Sequence, residues 1–541
     1  MTVRGRKLWY FALPLSLMAA CVLQAAPVSA QVTSTGFDCS RVQGLLKQDN
    51  MAAGRLLIEC GIVQGGRPAA PGDAPPSAPN IRVSNRKCTD AASCTKSENM
   101  VGVSTKDGGQ TIVVNYNDHI PNVTDGGTSF STDGGATFHE IHPPPFATGH
   151  GDNLGDPIVV FNSKLNKWFA GDLVGSFTKS SDCAADFGDD GIGLWTSKDG
   201  KTWTPGACAH IGNGFGEISD DRESMWVDND PTSGTFGRMY ISWNDFANNS
   251  GALSVTHSDD GTTWSAPVII NPNFMRNAQI TGSPRGAARF EGTNSAVFVS
   301  AMDESSDGLG GCTNPGSTRQ NVIYKSLDGG LTWTSHILAE RFKPACDDTC
   351  SSNGYFARVN PIWRAMGWSE PGVGPKGVVH YAYAGGGKNG DHGDIFYQRS
   401  TDNGETWSKP IKLNTDPDKP FKTQWMPSLS VDLKGKVTVS WYDRRKATSA
   451  CNVVSDPGCN YERVGRQSKN NGASFLPEFA ISNGVIPQPD QQDPFVQSCY
   501  AGDYDYDTAL NGNAFVTWTD GRRSVKGTHV QDVDFAKVPL P

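Results

Sequence analysis

One short pattern recurs along this 541-residue chain and decides most of what it can fold into. SLDGGLTW (Ser326 to Trp333) returns as STDGGATF (Ser131 to Phe138), SKDGKTW (Ser197 to Trp203), SDDGTTW (Ser258 to Trp264), STDNGETW (Ser400 to Trp407) and SKNNGASF (Ser468 to Phe475). Its acidic or amide positions are Asp133, Asp199, Asp260, Asp328, Asp402 and Asn470, spaced by 66, 61, 68, 74 and 68 residues. A near-constant period of this size is the mark of one supersecondary unit repeated. Within each copy the Asp or Asn can accept hydrogen bonds from backbone N–H groups of its own turn. Gly supplies the left-handed conformation, and the aromatic residue packs back to anchor the hairpin. A catalytic acid would not recur six times at one spacing, nor be replaced by Asn470. These six positions are therefore read as turn formers.

Other segments keep register with the turns. Strand-like runs ending in Asp include TIVVNYND (to Asp118), RMYISWND (to Asp245), AVFVSAMD (to Asp303), KVTVSWYD (to Asp443) and AFVTWTD (to Asp520). Their alternation reads as the second strand of successive units, with the terminal Asp capping a turn. The period leaves room for four strands and long loops, since such a unit takes at least ~40 residues. With 61 Gly, 33 Pro and 14 Trp, the composition suits a turn-rich all-β protein. The last segment, from Gly502 onward, has no turn motif and supplies about three strands. The lone run NIRVSN (Asn80 to Asn85) could complete it and leave no open edge.

S-x-D-x-G-x-x-W resembles the Asp box of sialidases and other BNR-repeat proteins, and the resemblance extends over roughly residues 80 to 540. It implies an all-β Asp-box β-propeller in which each box forms the turn between the third and fourth strands of a blade. Six boxed units and a seventh closed by NIRVSN favour seven blades, with six as the alternative and a small helical N-terminal extension in either case.

The N-terminus reads as a signal peptide over residues 1–30: MTVRGRK, then the apolar LWYFALPLSLMAA, then the small-residue site VSA. MAAC at Met18 to Cys21 keeps a lipid anchor open. Residues 31–64 read as a small helical segment, 65–79 as a Pro/Ala-rich linker, and 80–541 as the propeller. Apart from Cys21, twelve cysteines remain without paired C-x-x-C ligand sets, so disulfides are expected. Short separations suggest Cys39–Cys60, Cys88–Cys94, Cys183–Cys208 and Cys451–Cys459. Cys312, Cys346, Cys350 and Cys499 are left unassigned. The expected location is secreted or periplasmic, with no transmembrane segment.

If the boxes occupy one face, chemistry belongs on the other, among the long polar second-to-third-strand loops and the channel mouth. The starts of the inner strands supply Glu98, Asp156, Asp221, Arg222, Glu223, Arg285, Arg358 and Asp503 there, with Tyr500 and Tyr504 nearby. Arg222, Arg285 and Arg358 are candidate grips for an anionic substrate. Glu223, Asp156 and Asp503 are candidate acids or bases, and Tyr500 or Tyr504 the candidate nucleophile. The sialidase resemblance implies three Arg on a carboxylate, a Tyr nucleophile with its Glu, and an Asp acid/base. The F/Y-R-I-P motif of that family is absent here, so no role carries over by motif. The reading is a secreted, sialidase-like carbohydrate-active protein, a glycoside hydrolase acting on a complex or acidic glycan or glycoconjugate. The alternative is a non-catalytic propeller that binds glycan or protein. A formal charge of −9 argues against nucleic acid. No cofactor or metal site is expected; Thr508 and Ala514 exclude an EF-hand, and calcium stays open because DFGDDG and GDYDYD offer oxygen ligands. A monomer is expected.

Overall fold

The computed structural model describes residues 36–48, 50–65, 80–120, 123–214, 219–247, 251–283, 294–305, 317–345, 363–364, 370–420, 422–451, 456–491, 493 and 500–541, together with the backbone of 348–349 and 357–359. Among these residues, seven sheets of four antiparallel strands follow one another along the chain. Blade 1 runs Lys96–Val103, Ile112–Ile120, Thr124–Ser131 and His139–Glu140; blade 2 runs Asp152–Asn162, Lys167–Gly175, Asp190–Ser197 and Trp203–His210. Blades 3 to 6 repeat this plan, opening with Asp220–Val227, Arg276–Gly282, Glu370–Val373 and Gln424–Val431.

Blade 7 is composite. Thr508–Leu510, Asn513–Asp520 and Asp532–Pro539 come from the C-terminus, and Ile81–Arg82 adds the outer strand by pairing with Phe535 and Asp534. Inner strands of successive blades touch, and blade 7 meets blade 1, so the ring is closed. Asp505–Tyr506 tightens that closure by pairing in parallel with Asn99–Met100. The fold is a seven-bladed β-propeller.

The second strands differ from the half-buried pattern that their alternation predicts. In Val437–Asp443 every residue is buried, including Thr438 and Ser440. Each blade is sandwiched between two others, so both faces are covered, and the alternation is of large apolar with small polar side chains. Large aromatics fill the wedges between blades, with Trp168, Trp195, Trp243, Trp441 and Trp518 fully buried.

The box turns work as the residue types require. Ser326 Oγ donates to Asp328 Oδ1 at 2.8 Å and accepts from Gly330 N at 2.9 Å, while Asp328 Oδ1 accepts from Leu331 N and Thr332 N at 3.1 and 3.0 Å. Trp333 Nε1 closes the turn on Gly330 O at 3.1 Å. At Asn470 the amide keeps the backbone bond, accepting from Ser474 N at 3.0 Å, and its Nδ2 donates to Ser474 Oγ at 2.9 Å. A hydroxyl can donate or accept, so Asn is tolerated there. The box Gly also faces the preceding blade: at Gly261 (φ 73°) an added Cβ would stand 2.2 Å from the Phe169 ring. The box therefore shapes its own hairpin and lets neighbouring blades approach.

Residues Cys39–Lys47 form a 3-10 stretch and Met51–Glu59 an α-helix, joined by the Cys39–Cys60 disulfide. Cys88–Cys94, Cys183–Cys208 and Cys451–Cys459 are also bonded; the other four cysteines named above lie outside the described residues. No helix among the described residues is long and apolar enough to cross a membrane.

Candidate functional site

The channel mouth is built by one backbone device repeated around the ring. Glu98, Asp156, Arg222, Asn277 and Met426 all have positive φ, between 44° and 66°. Each sits where the inner strand slips register against the second strand of its blade. Gly502 (φ 93°) takes the same conformation just ahead of Asp503. Left-handed backbone is costly for residues with a Cβ and persists where the surroundings impose it, often at functional sites. The sequence signal was the polar residue opening each inner strand; the bulge that turns it was not legible.

Most of the expected residues converge here. Arg222 lies with its guanidinium 4.6 Å from the Tyr504 ring centroid and donates to Tyr506 Oη at 2.8 Å. Tyr504 and Tyr506 stack at 4.7 Å. Glu98 Oε2 accepts from Asn117 Nδ2 at 2.6 Å, and the same amide donates to Tyr500 Oη at 3.0 Å. Asn117 Oδ1 accepts from Asp156 N at 2.9 Å, and Glu98 Oε1 from Asp503 N at 2.8 Å. Asp503 holds Arg364 at 2.6 Å, and Arg364 covers the Tyr500 ring at 4.8 Å.

Glu223 differs from the rest. Its side chain is fully buried, and among the described residues neither carboxyl oxygen meets a hydrogen-bond partner outside its own residue. Burial, then the charge of Asp156, pushes its carboxyl well above the usual range. Tyr500 and Tyr504 are pushed well above the usual phenol range, by burial first and then by nearby carboxylates. Tyr500 Oη accepts from Asn117 Nδ2, and the Tyr504 ring lies under the Arg222 guanidinium.

Sequence reasoning missed Arg364, Asn117 and Tyr506, which complete the cluster. Tyr506 lies two residues beyond Tyr504 in the GDYDYD run, and the alternation of extended backbone puts both rings on one side. Arg285 lies outside the described residues, and Arg358 is described by backbone alone, in a short sheet apart from the seven blades.

The site is covered. Asp156, Arg222, Glu223, Tyr500, Asp503 and Tyr504 are each 3% exposed or less. Over them lie Asn50 and Met51, both 0% exposed. Beside this seal, between the helix and blades 1 and 2, a groove of about 620 Å³ remains open, lined by Arg55, Leu56, His119, Asp125, Phe177 and Lys179 among others.

The Asp-rich loops use their carboxylates internally: Asp189 Oδ2 accepts from Asp186 N at 2.9 Å, and Asp505 Oδ2 from Tyr442 Oη at 2.6 Å. Elsewhere Asp391, Asp394 and Asp418 lie within 4.8 Å of one another, with the Lys412 ammonium on Asp394 at 2.6 Å and also on Asp418. Arg445 and Arg522, which could have met an anion, pair instead with Asp443 and Glu478 and with Asp520 and Asp534.

No family model and no curated protein matches the sequence. Solved structures that align with the chain include an ulvan lyase described as a new family of polysaccharide lyase, at 11% identity and TM-score 0.43, over 87% of this chain and 96% of that one. A Hadza microbial sialidase aligns at 14% identity and TM-score 0.38, over 78% and 73%. An α-L-arabinofuranosidase from Fusarium graminearum aligns at 10% identity and TM-score 0.37, over 86% and 98%. In architecture the chain is a seven-bladed β-propeller. That statement rests on its own seven sheets and box turns, the alignments being too distant to bear on activity.

Chemically, this propeller mouth gathers a buried carboxyl at Glu223 whose proton affinity is raised by burial, a second carboxyl at Asp156, three phenols and two guanidiniums. Such a set can donate a proton, stabilise positive charge and bind an anion.

Proposed function

We propose that the protein is a carbohydrate-active propeller that cleaves a glycosidic linkage in an acidic or complex glycan at the channel mouth. Glu223 carries this reading: a fully buried carboxyl beside a second carboxyl, its proton affinity raised by burial, is poised as a general acid. In hydrolysis Glu223 would give its proton to the glycosidic oxygen as the C–O bond breaks. Asp156 would stabilise the positive charge on the departing sugar and take a proton from the attacking water. Arg222 would bind an anionic group, with Tyr504 and Tyr506 fixing the guanidinium. Asp503 and Tyr500 position neighbours, through Arg364 and Asn117. Secretion accords with this reading and with the disulfides.

The test is turnover of a panel of fluorogenic glycosides and of soluble acidic polysaccharides by wild type and Glu223→Gln. The expected loss is at least ~100-fold, the usual contribution of a general acid. Measurable turnover that is equal in both proteins would sink the assignment.

The burial of the cluster and the open groove beside it favour a second reading, a glycan-binding propeller without turnover. Binding to a glycan array that Lys179→Glu abolishes, with no substrate consumed, would decide for it.

A further inference from the structure

The helical unit spans the channel mouth, and its tip is the part that seals it. Met51 packs on Tyr500, and an added Cβ at Gly155 would stand 3.1 Å from Met51 Sδ. Asn50 N and Nδ2 donate to Asp221 Oδ1 at 3.1 and 3.2 Å, beside Arg222. Arg55 pairs with Asp125 of blade 1, and Lys47 lies 5.8 Å from the Phe274 ring centroid of blade 3. Phe37, Val42, Leu45, Leu56 and Leu57 share one core with Leu154 and Phe177 of blade 2. The unit thus rests on three consecutive blades and on the segment that leads into blade 7.

From this arrangement we infer that residues 36–65 are a built-in plug that occupies the substrate position and holds the protein in a closed state. The inference rests on the functional reading above. The cluster has the makeup of a site that handles a polar ligand, yet its side chains are buried. What stands over it is an amide and a thioether from outside the propeller, clipped by Cys39–Cys60 into a body that can move as one. In sequence the Pro/Ala-rich run RPAAPGDAPPSAP joins this body to the strand that closes blade 7. Losing the plug therefore need not open the ring.

Asn50 allows a test that spares the helix. Its Oδ1 caps the helix by accepting from Ala53 N at 2.8 Å, while its N–H groups hold Asp221. Asp caps a helix as well as Asn does, but Asn50→Asp sets a second carboxylate against Asp221. In Asn50→Asp, hydrogen exchange at Glu98–Met100 and Arg222–Ser224 should rise roughly tenfold, the change that about 1.4 kcal/mol of repulsion supplies. Asn50→Asp with Asp221→Asn should return to the wild-type rate. A second route is a protease site engineered into 66–79. Cleavage should raise exchange at the same strands, and the oxidised 36–65 peptide added back should reverse it.

Turnover of 4-methylumbelliferyl glycosides is measured on the same samples. Exchange and turnover rising together support both readings. Raised exchange with no turnover keeps the plug and removes the hydrolase reading. Unchanged exchange in both Asn50→Asp and the cleaved protein overturns the plug, whatever the turnover.

Discussion

The Arg222 guanidinium lies 4.6 Å from the ring centroid of Tyr504, linking the entrance of blade 3 to the segment before blade 7. The contact crosses the channel mouth and ties the first half of the chain to its end. A cation over a desolvated ring gains about 2 kcal/mol, and the flat guanidinium also reaches Tyr506 Oη. Arg222→Lys keeps the charge but loses the stack and the aimed donor. Binding of an acidic glycan should weaken about tenfold or more, with a lower thermal midpoint. Retained affinity in Arg222→Lys would show that the arginine is only a spacer between blades.

The box acids should matter for folding and not for chemistry. Asp328→Ala removes acceptors for Leu331 N, Thr332 N and Ser326 Oγ. Because the turn is partly exposed, the loss should be about 1 kcal/mol. Asn470→Asp should be close to neutral, since Ser474 Oγ can turn to donate. Thermal melts check the first effect and glycan turnover the second. A turnover loss in Asp328→Ala without a stability loss would return the box to the list of candidate active-site acids.

The repeat makes the ring legible in sequence, because a turn that needs Ser, Asp, Gly and an aromatic at fixed offsets leaves its signature there. Ring closure by Ile81–Arg82 followed from the unpaired edge that the last unit would otherwise expose. The site was legible in part. Asp156, Arg222, Glu223 and Asp503 open inner strands, so a blade count finds them. Arg364 lies outside the seven blades, and Asn117 lies inside a second strand that reads as core. The role of Asn50 was hidden too, since nothing local says that a helix N-cap will also bind an Asp of blade 3.

The closing strand makes a prediction about truncation. A chain beginning at Asn80 keeps the pairs of Ile81 with Phe535 and Arg82 with Asp534, and should fold without the helical unit. A chain beginning at Lys87 loses them, along with the bond from Val83 N to Val533 O at 2.9 Å. It leaves Asp532–Pro539 as an open edge, which invites pairing with other chains. The expected result is a folded protein from the first and aggregation of the second on size-exclusion chromatography. Equal behaviour would mean that the ring does not depend on this strand.

Asp505 sets a pH limit from the alkaline side. Its carboxyl accepts from Tyr442 Oη and Asn99 Nδ2 and faces Arg463 at 3.3 Å, yet burial outweighs these and raises its pKa from 3.8 to about 7. Asp507 is likewise raised, to about 6. For a raised carboxyl, the folded state holds its proton when the unfolded chain has released it. The stabilising contribution is complete below about pH 4 and is lost as pH rises through about 7. His380 acts oppositely: burial lowers it to about 3, so stability falls as pH drops below the ordinary histidine range. Asp505→Asn removes the titration and can keep the contacts. Its oxygen serves Tyr442 and Arg463, and its amide can donate to Asn99 Oδ1, which has no hydrogen-bond partner among the described residues of the wild type. Between pH 5 and pH 8 the thermal midpoint of the variant should therefore decline less than that of wild type. Parallel curves would mean that Asp505 is already ionised in the folded protein and that Arg463 outweighs burial.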